Sequence, residues 1–237
     1  ADTSQRFYET LKQLTDGKSE SNPDGKGLDY ARYRAIEFLK PEYQGKYKNA
    51  EHIAQTLAGI YRVHMVKRLE SSFYAFKKSL ATLLRITNDM IKMFEEDKVI
   101  IAPDLNVKEL QSKGMELDQI IEYAVNKGYS EQDIVFKADA FKPNFVEMLH
   151  HDKNILEHLN LEWQKENDDP KFDKFHENLK NNFFDKDINP TGKLVVFSES
   201  VDTLNYLYDR LTNDVKRTDV LMVTSNNRQK SALMIKE

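Results

Sequence analysis

No proline interrupts the chain between Pro41 and Pro103, and inside that span Met65–Leu84 reads MVKRLESSFYAFKKSLATLL. Proline removes a helical hydrogen bond and clashes with the preceding turn, so a long stretch without it, rich in Leu, Ala, Lys and Met, points to long helices. At about 100° per residue, Met65, Leu69, Phe73, Phe76, Leu80, Leu83, Met90, Ile91 and Phe94 share a sector roughly 120° wide. Lys67, Lys78, Arg85 and Lys92 fall in a narrow sector opposite. A buried stripe facing away from a charged one is what a packed surface helix needs. The sign of the charge adds a second reading. From Leu57 to Lys92 there are seven Lys/Arg against two acids, Glu70 and Asp89, a local net of +5 in a chain whose overall charge is −4. Such a segment can present a phosphate-facing surface, or a row of solvated cations.

The 237 residues allow one large domain or two small ones. With 40% hydrophobic and 31% charged residues and a mean hydropathy of −0.68, the composition is polar and helix-leaning. A net charge of −4 gives no global attraction to nucleic acid or anionic lipid, so any such affinity has to be local. The absence of cysteine excludes disulfides, thiolate nucleophiles and cysteine metal sites, and fits a reducing, cytoplasmic setting. No apolar run approaches the roughly 20 residues of a membrane span. The first residue is Ala1, and the closing SALMIKE has the composition of a helix interior, so the chain is expected to be a fragment of a longer protein.

In chain order, Ser4–Leu14 has helical spacing at Phe7, Leu11 and Leu14, followed by the turn-rich Thr15–Gly27. That loop holds Gly17-Lys18-Ser19, the tail of a phosphate-loop motif, but Lys12 stands where the motif's first glycine belongs and no strand precedes it. Asp29 can cap a helix running to Leu39 and ended by Pro41. Gly45 is a candidate interruption before the long helix begins near Asn49. From Glu95 to Lys171 there are 18 acids against nine bases, a net of −9. This acidic section is expected to be helical, with Val107–Ser112 leading into Leu117–Asn126, a turn from Ser130, and Phe141–Lys165 carrying Phe145, Leu149, Ile155, Leu159 and Trp163. It reads as a solvated insertion or, alternatively, a protein-docking face. No histidine pair has the i, i+4 zinc spacing, since Asn154 follows His150 and Ile155 follows His151 at that interval. No metal site is assigned. No nucleophile elbow G-x-S-x-G occurs either, so no catalytic residue is assigned.

After Asn189-Pro190-Thr191-Gly192 the pattern changes. Lys193–Phe197 (KLVVF) and Asp219–Thr224 (DVLMVT) read as strands buried on both faces. Between them Asp202 can cap a helix over Thr203–Leu211, with Leu204, Leu207, Tyr208 and Leu211 on its apolar side. Strand, helix, strand, helix is a parallel α/β unit, and two strands alone do not make a stable sheet.

The blocks HMVKRLESSFYAFKKSL, DPKFDKFHENL and GKLVVFSESVDTLNYLYDRL, in that order, resemble bacterial Swi/Snf-type, superfamily-two helicase-like ATPases. The likeness covers Ala50–Leu84 and Asp169–Arg228. It is weaker before residue 50 and poor over Val99–Asp168. KRLESS together with FSES-x-DT is its most specific part. The resemblance implies that the first block lies in helical material between two RecA-like lobes, that KLVVFSES is helicase motif IV opening the second lobe, and that TSNNR follows that lobe's second strand. The expected fold is therefore mainly α. Residues 1–98 would be an inter-lobe helical region, residues 99–168 an acidic helical insertion, and residues 169–237 the start of a RecA-like lobe with a short parallel α/β unit. ATP and magnesium are implied for the parent protein. This chain lacks the complete phosphate loop and has no Asp-Glu dipeptide, so on its own it is expected neither to bind them nor to hydrolyse ATP.

The same resemblance places Ser198, Ser200, Asn226 and Arg228 along a nucleic-acid-facing rim. Loops at the carboxyl ends of parallel strands are common ligand sites, which points the same way. Helix capping accounts equally well for the two serines. Lys67 and Arg68 are candidates for contact with phosphate or with the first lobe, although an ion pair to a neighbouring helix explains Arg68 as well. The expected partners are nucleic acid, duplex DNA in particular, and the first RecA-like lobe, with no membrane. The competing expectation is a non-enzymatic helical module that docks to protein through its acidic face.

Overall fold

The computed structural model describes residues 3–18, 22, 24–45, 47, 50–101, 109, 117–128, 130, 134–198, 200–224 and 227. The fold is mainly α. Two compact units are present, Ala1–Val66 with Ser79–Lys165, and Lys67–Lys78 with Glu166–Glu237. The border expected between residues 98 and 99 therefore falls inside the first unit.

That unit opens with α1 (Thr3–Thr15). Its last carbonyls are closed by the loop that follows, through Asp16 N–H to Lys12 O at 2.9 Å and Leu28 N–H to Gln13 O at 2.8 Å. Gly17 is required by this return, because a Cβ there would stand 2.1 Å from the Leu28 carbonyl oxygen. Ala31–Phe38 forms a 3-10 helix, where the sequence suggested an α-helix capped by Asp29. The Asp29 side chain instead accepts from Lys18 N–H at 2.6 Å.

Next come α2 (Pro41–Gln44), α3 (Ala50–Ser71) and α4 (Phe73–Glu95). The turn at Gly45 lies between α2 and α3, as the sequence suggested. In the predicted apolar stripe, Met65, Leu69, Phe76, Leu80, Leu83, Met90, Ile91 and Phe94 are buried and Phe73 is half-buried. Lys67, Lys78, Arg85 and Lys92 are all exposed. The two helices divide at Ser72, although the hydrogen bonds from Ser72 N–H to Arg68 O (3.0 Å) and from Phe76 N–H to Ser72 O (2.9 Å) run on through it. Adjacent serines are a recognised place for a helix to break, since their hydroxyls compete for backbone partners.

Among the described residues, the acidic section also contains strand. Here β1 (Val99–Ile100) pairs antiparallel with β2 (Val135–Phe136), matching Val99 to Phe136 and Ile100 to Val135. The helical turn expected over SEQDIVF is thus replaced at Val135–Phe136 by a strand. β-branched and aromatic residues suit a pleated surface better than a helix when a partner strand is available. Between the strands, α5 (Leu117–Asn126) has the expected bounds, while the expected Val107 start lies outside the described residues. Then α6 (Asn144–Gln164) buries Phe145, Leu149, Asp152, Leu156, Leu159 and Trp163 along one stripe. Its first turns join Phe38, Phe94, Phe136 and Phe141 in the core, where Phe38 stacks on Phe145 at 5.0 Å between ring centroids.

In the second unit, α7 (Pro170–Asn181) is capped by Asp169, which accepts from Phe172 N–H at 3.0 Å, and α8 (Val201–Asp209) ends in a π turn over Arg210–Asp214. Neither predicted strand forms among the described residues. Lys193–Phe197 has no ladder partner and leaves Val195 71% and Phe197 90% exposed, and Asp219–Thr224 is likewise irregular. A strand meant to be buried on both faces needs neighbours on both edges and a layer over each face. Neither requirement is met among the described residues, and Leu204, Leu207 and Tyr208 of α8 and Leu211 of the π turn stay only half-buried.

Candidate nucleic-acid interface

The end of α3 and the start of α4 bring the KRLESS residues into the second unit. Arg68 is half-buried and donates through Nη1 to Ser200 Oγ, with Asp202 Oδ2 at 3.3 Å. Lys78 Nζ reaches the other oxygen of the same carboxylate at 3.3 Å. Ser71 Oγ and Thr203 Oγ1 lie 3.4 Å apart. Residues separated by more than 120 positions in the chain thus form one polar network.

Ser200, rather than the expected Asp202, is the N-cap of α8, accepting from Thr203 N–H at 3.2 Å. Ser198 Oγ in turn accepts from Ser200 N–H at 3.1 Å. Ser200 is buried, so its hydroxyl is committed to the cap and to Arg68. Ser200→Ala is expected to cost about 1–2 kcal/mol, as the loss of an N-cap usually does. Urea denaturation measures it, and a cost below about 0.5 kcal/mol, the scale of an ordinary surface substitution, would mean that the cap contributes little.

Beneath the network lies an aromatic layer. Tyr74 stacks on Tyr206 at 5.0 Å, Lys78 Nζ lies 4.9 Å from the Tyr74 ring centroid, and the Arg210 guanidinium lies 4.1 Å from that of Phe172. Tyr206 donates to Asp169 Oδ2 at 2.7 Å and accepts from Arg210 at 2.9 Å. Burial and the Asp169 carboxylate push its phenol above the usual range, so it remains a neutral donor. Lys77 Nζ donates to the Glu166 carbonyl and Lys171 Nζ to that of Glu70 at 2.8 Å.

Of the residues the sequence singled out, the structure joins Arg68, Ser198 and Ser200. Lys67 is exposed on the same turn as Arg68, and Asn226 and Arg228 lie outside the described residues. Much of the cationic row carries carboxylate partners, with Lys78 beside Asp202, Arg85 on Asp89 at 2.8 Å and Lys92 on Glu96 at 3.4 Å. Asp202 and Tyr206 were within reach of sequence reasoning, since Asp202 is in FSES-x-DT and Tyr206 lies one turn on. Asp169 precedes Pro170, a helix-start signature.

The loop at Gly17 does not fit a nucleotide phosphate. The Lys18 amide already donates to Asp29, and Gly17 is filled from behind by Leu28. Among the described residues no group of three or more His, Asp or Glu side chains is placed to hold a metal ion, and no helix is long and apolar enough to cross a membrane. Comparison with known proteins finds no matching family model, no significant match among curated proteins and none among solved structures.

Proposed function

We propose that the chain works within a nucleic-acid-dependent, helicase-like ATPase of Swi/Snf type. It would supply helical material between the lobes and the opening of the second RecA-like lobe, in the cytoplasm. The observation that carries this reading is the junction of KRLESS with FSES-x-DT, through Arg68 with Ser200 and Asp202 and through Ser71 with Thr203. The two blocks on which the resemblance rests are far apart in sequence and meet in one hydrogen-bonded network. The exposed Leu194–Phe197 run also supports it, because a contiguous apolar surface calls for a covering layer, here the remaining strands of a RecA-like sheet. In this reading Arg68 is a positioning residue that fixes the Ser198–Asp202 loop. Lys67, on the exposed side of the same turn, is the phosphate contact, while ATP and magnesium are bound by parts of the parent motor other than these residues.

The test is binding of the chain to labelled duplex and single-stranded DNA at low and physiological salt. Binding should weaken steeply as salt rises, and Lys67→Ala should lower the slope of log K against log salt by about 1. Arg68→Ala should weaken binding and also destabilise the second unit. Absence of binding at low salt would overturn the assignment. Capture of a basic protein partner without any binding of nucleic acid would instead favour docking through the acidic face.

A further inference from the structure

The first unit contains arginines whose charge is poorly matched by the protein around them. Arg32, on the 3-10 helix, is half-buried with its Nε sealed from solvent and without a hydrogen-bond partner. Among the described residues its acceptor is the Met90 thioether, 3.7 Å from Nη1. A thioether is a weak acceptor, whereas a guanidinium presents five donors in a rigid fork. The carboxylate acting on Arg32 is Asp89, which is already paired with Arg85 at 2.8 Å. Burial pulls the Arg32 guanidinium below its usual range and Arg85 adds to that pull, with Tyr33, Asp89 and Tyr61 opposing it.

Beside this charge Tyr33 stacks on Tyr61 at 3.5 Å and 13°. Burial and Tyr61 push the Tyr33 phenol up, so it stays a neutral donor. Arg62 follows Tyr61 on α3. Its Nε is also sealed and unpartnered, and its guanidinium lies 5.9 Å from the Tyr30 ring centroid. Two guanidiniums, Arg32 and Arg85, thus share the Asp89 carboxylate, with the Tyr33–Tyr61 pair beside Arg32.

Removing a guanidinium from water without an anion costs several kcal/mol, and the planar fork matches the oxygens of phosphate in a bidentate fashion. We propose that Arg32, supported by Arg85 and the Tyr33–Tyr61 hydroxyls, is a binding site for a phosphate group. The site belongs to the first unit alone and does not depend on the helicase-like reading. The phosphate is that of a small anion or of a nucleic-acid backbone, and both sources share the same contacts.

The test is thermal unfolding of the full chain in rising inorganic phosphate, against sodium chloride at equal ionic strength, with a parallel series in a 20-nucleotide single strand. The melting temperature should rise saturably with phosphate and not with chloride. A response to phosphate alone identifies a small anion, and a response to the oligonucleotide at far lower concentration identifies a backbone phosphate. Arg32→Met should melt no lower than the unsubstituted chain without phosphate, having lost a poorly paired buried charge, and should lose the phosphate response. Arg32→Lys keeps the charge without the fork and should weaken the apparent affinity about tenfold or more. An unsubstituted chain that responds equally to phosphate and chloride would overturn the proposal whatever the variants do. So would an Arg32→Met protein with an undiminished phosphate response.

Discussion

Trp163→Ala is expected to remove about 3–5 kcal/mol from the stability of the first unit, the range for deleting a large aromatic from a packed core. Trp163 is the single tryptophan and has no exposed surface. It lies in the last turn of α6, and its indole N–H donates to Thr10 Oγ1 at 2.9 Å. Thr10 is buried on α1, so the substitution opens a cavity and also leaves a buried hydroxyl without its partner. Small domains are stable by only about 5–15 kcal/mol, so the loss is a large share of the total. Trp163→Phe keeps most of the volume and gives up only the hydrogen bond, and should cost about 1–2 kcal/mol. Urea melts followed by far-ultraviolet circular dichroism measure both, because the substitution removes the natural fluorophore. A loss near 1 kcal/mol for the alanine variant would mean that α1 is not held to α6 through this residue.

Trp163 was legible in the sequence, and its legibility shows where such reading works. Of Phe145, Leu149, Ile155, Leu159 and Trp163, all but Ile155 lie on the buried stripe, where Leu156 takes its place and Ile155 is half-buried. A long amphipathic pattern is set by burial along a single element. The same reasoning located α5 and the stripe of α3 and α4. It misjudged features that depend on a distant partner. The Val135–Phe136 segment is a strand because Val99–Ile100 lies alongside it, and nothing local announces that pairing. Lys193–Phe197 has the composition of a buried strand and no sheet around it among the described residues, so local propensity and tertiary context disagree. At the candidate interface, Arg68 and Ser200 were legible as residues but not as a pair. More than 120 positions separate them, and either ion pairing or phosphate contact would account for an arginine there.

Asp152 is the clearest residue that pattern reading passed over, although a signal was present, since an aspartate interrupts an otherwise apolar stripe between Leu149 and Leu156. It is 3% exposed, and its two carboxylate oxygens accept from Asp29 N–H and Ala31 N–H at 2.7 Å each. It thereby caps the 3-10 helix from another element and holds Tyr30 between them at φ 53°, in the left-handed region. Asp152→Ala leaves two buried amides without acceptors and should cost about 2–6 kcal/mol in a urea melt, given about 1–3 kcal/mol for each unsatisfied group. Burial pushes the Asp152 carboxyl up to about 7, opposed by the Ala31 and Asp29 amides and by His151, and aided by the Asp29 carboxylate. An unfolded aspartate titrates near about 3.9. Between those values the native state binds the proton more tightly, so this group's contribution to stability is fully present below about pH 4. It declines as pH rises through about 7 and is flat above that. Asp152→Asn does not titrate, so its deficit relative to the unsubstituted chain should shrink between about pH 4 and pH 7. A deficit that grows over that interval would show that the two amide hydrogen bonds outweigh burial and hold the native carboxyl ionised.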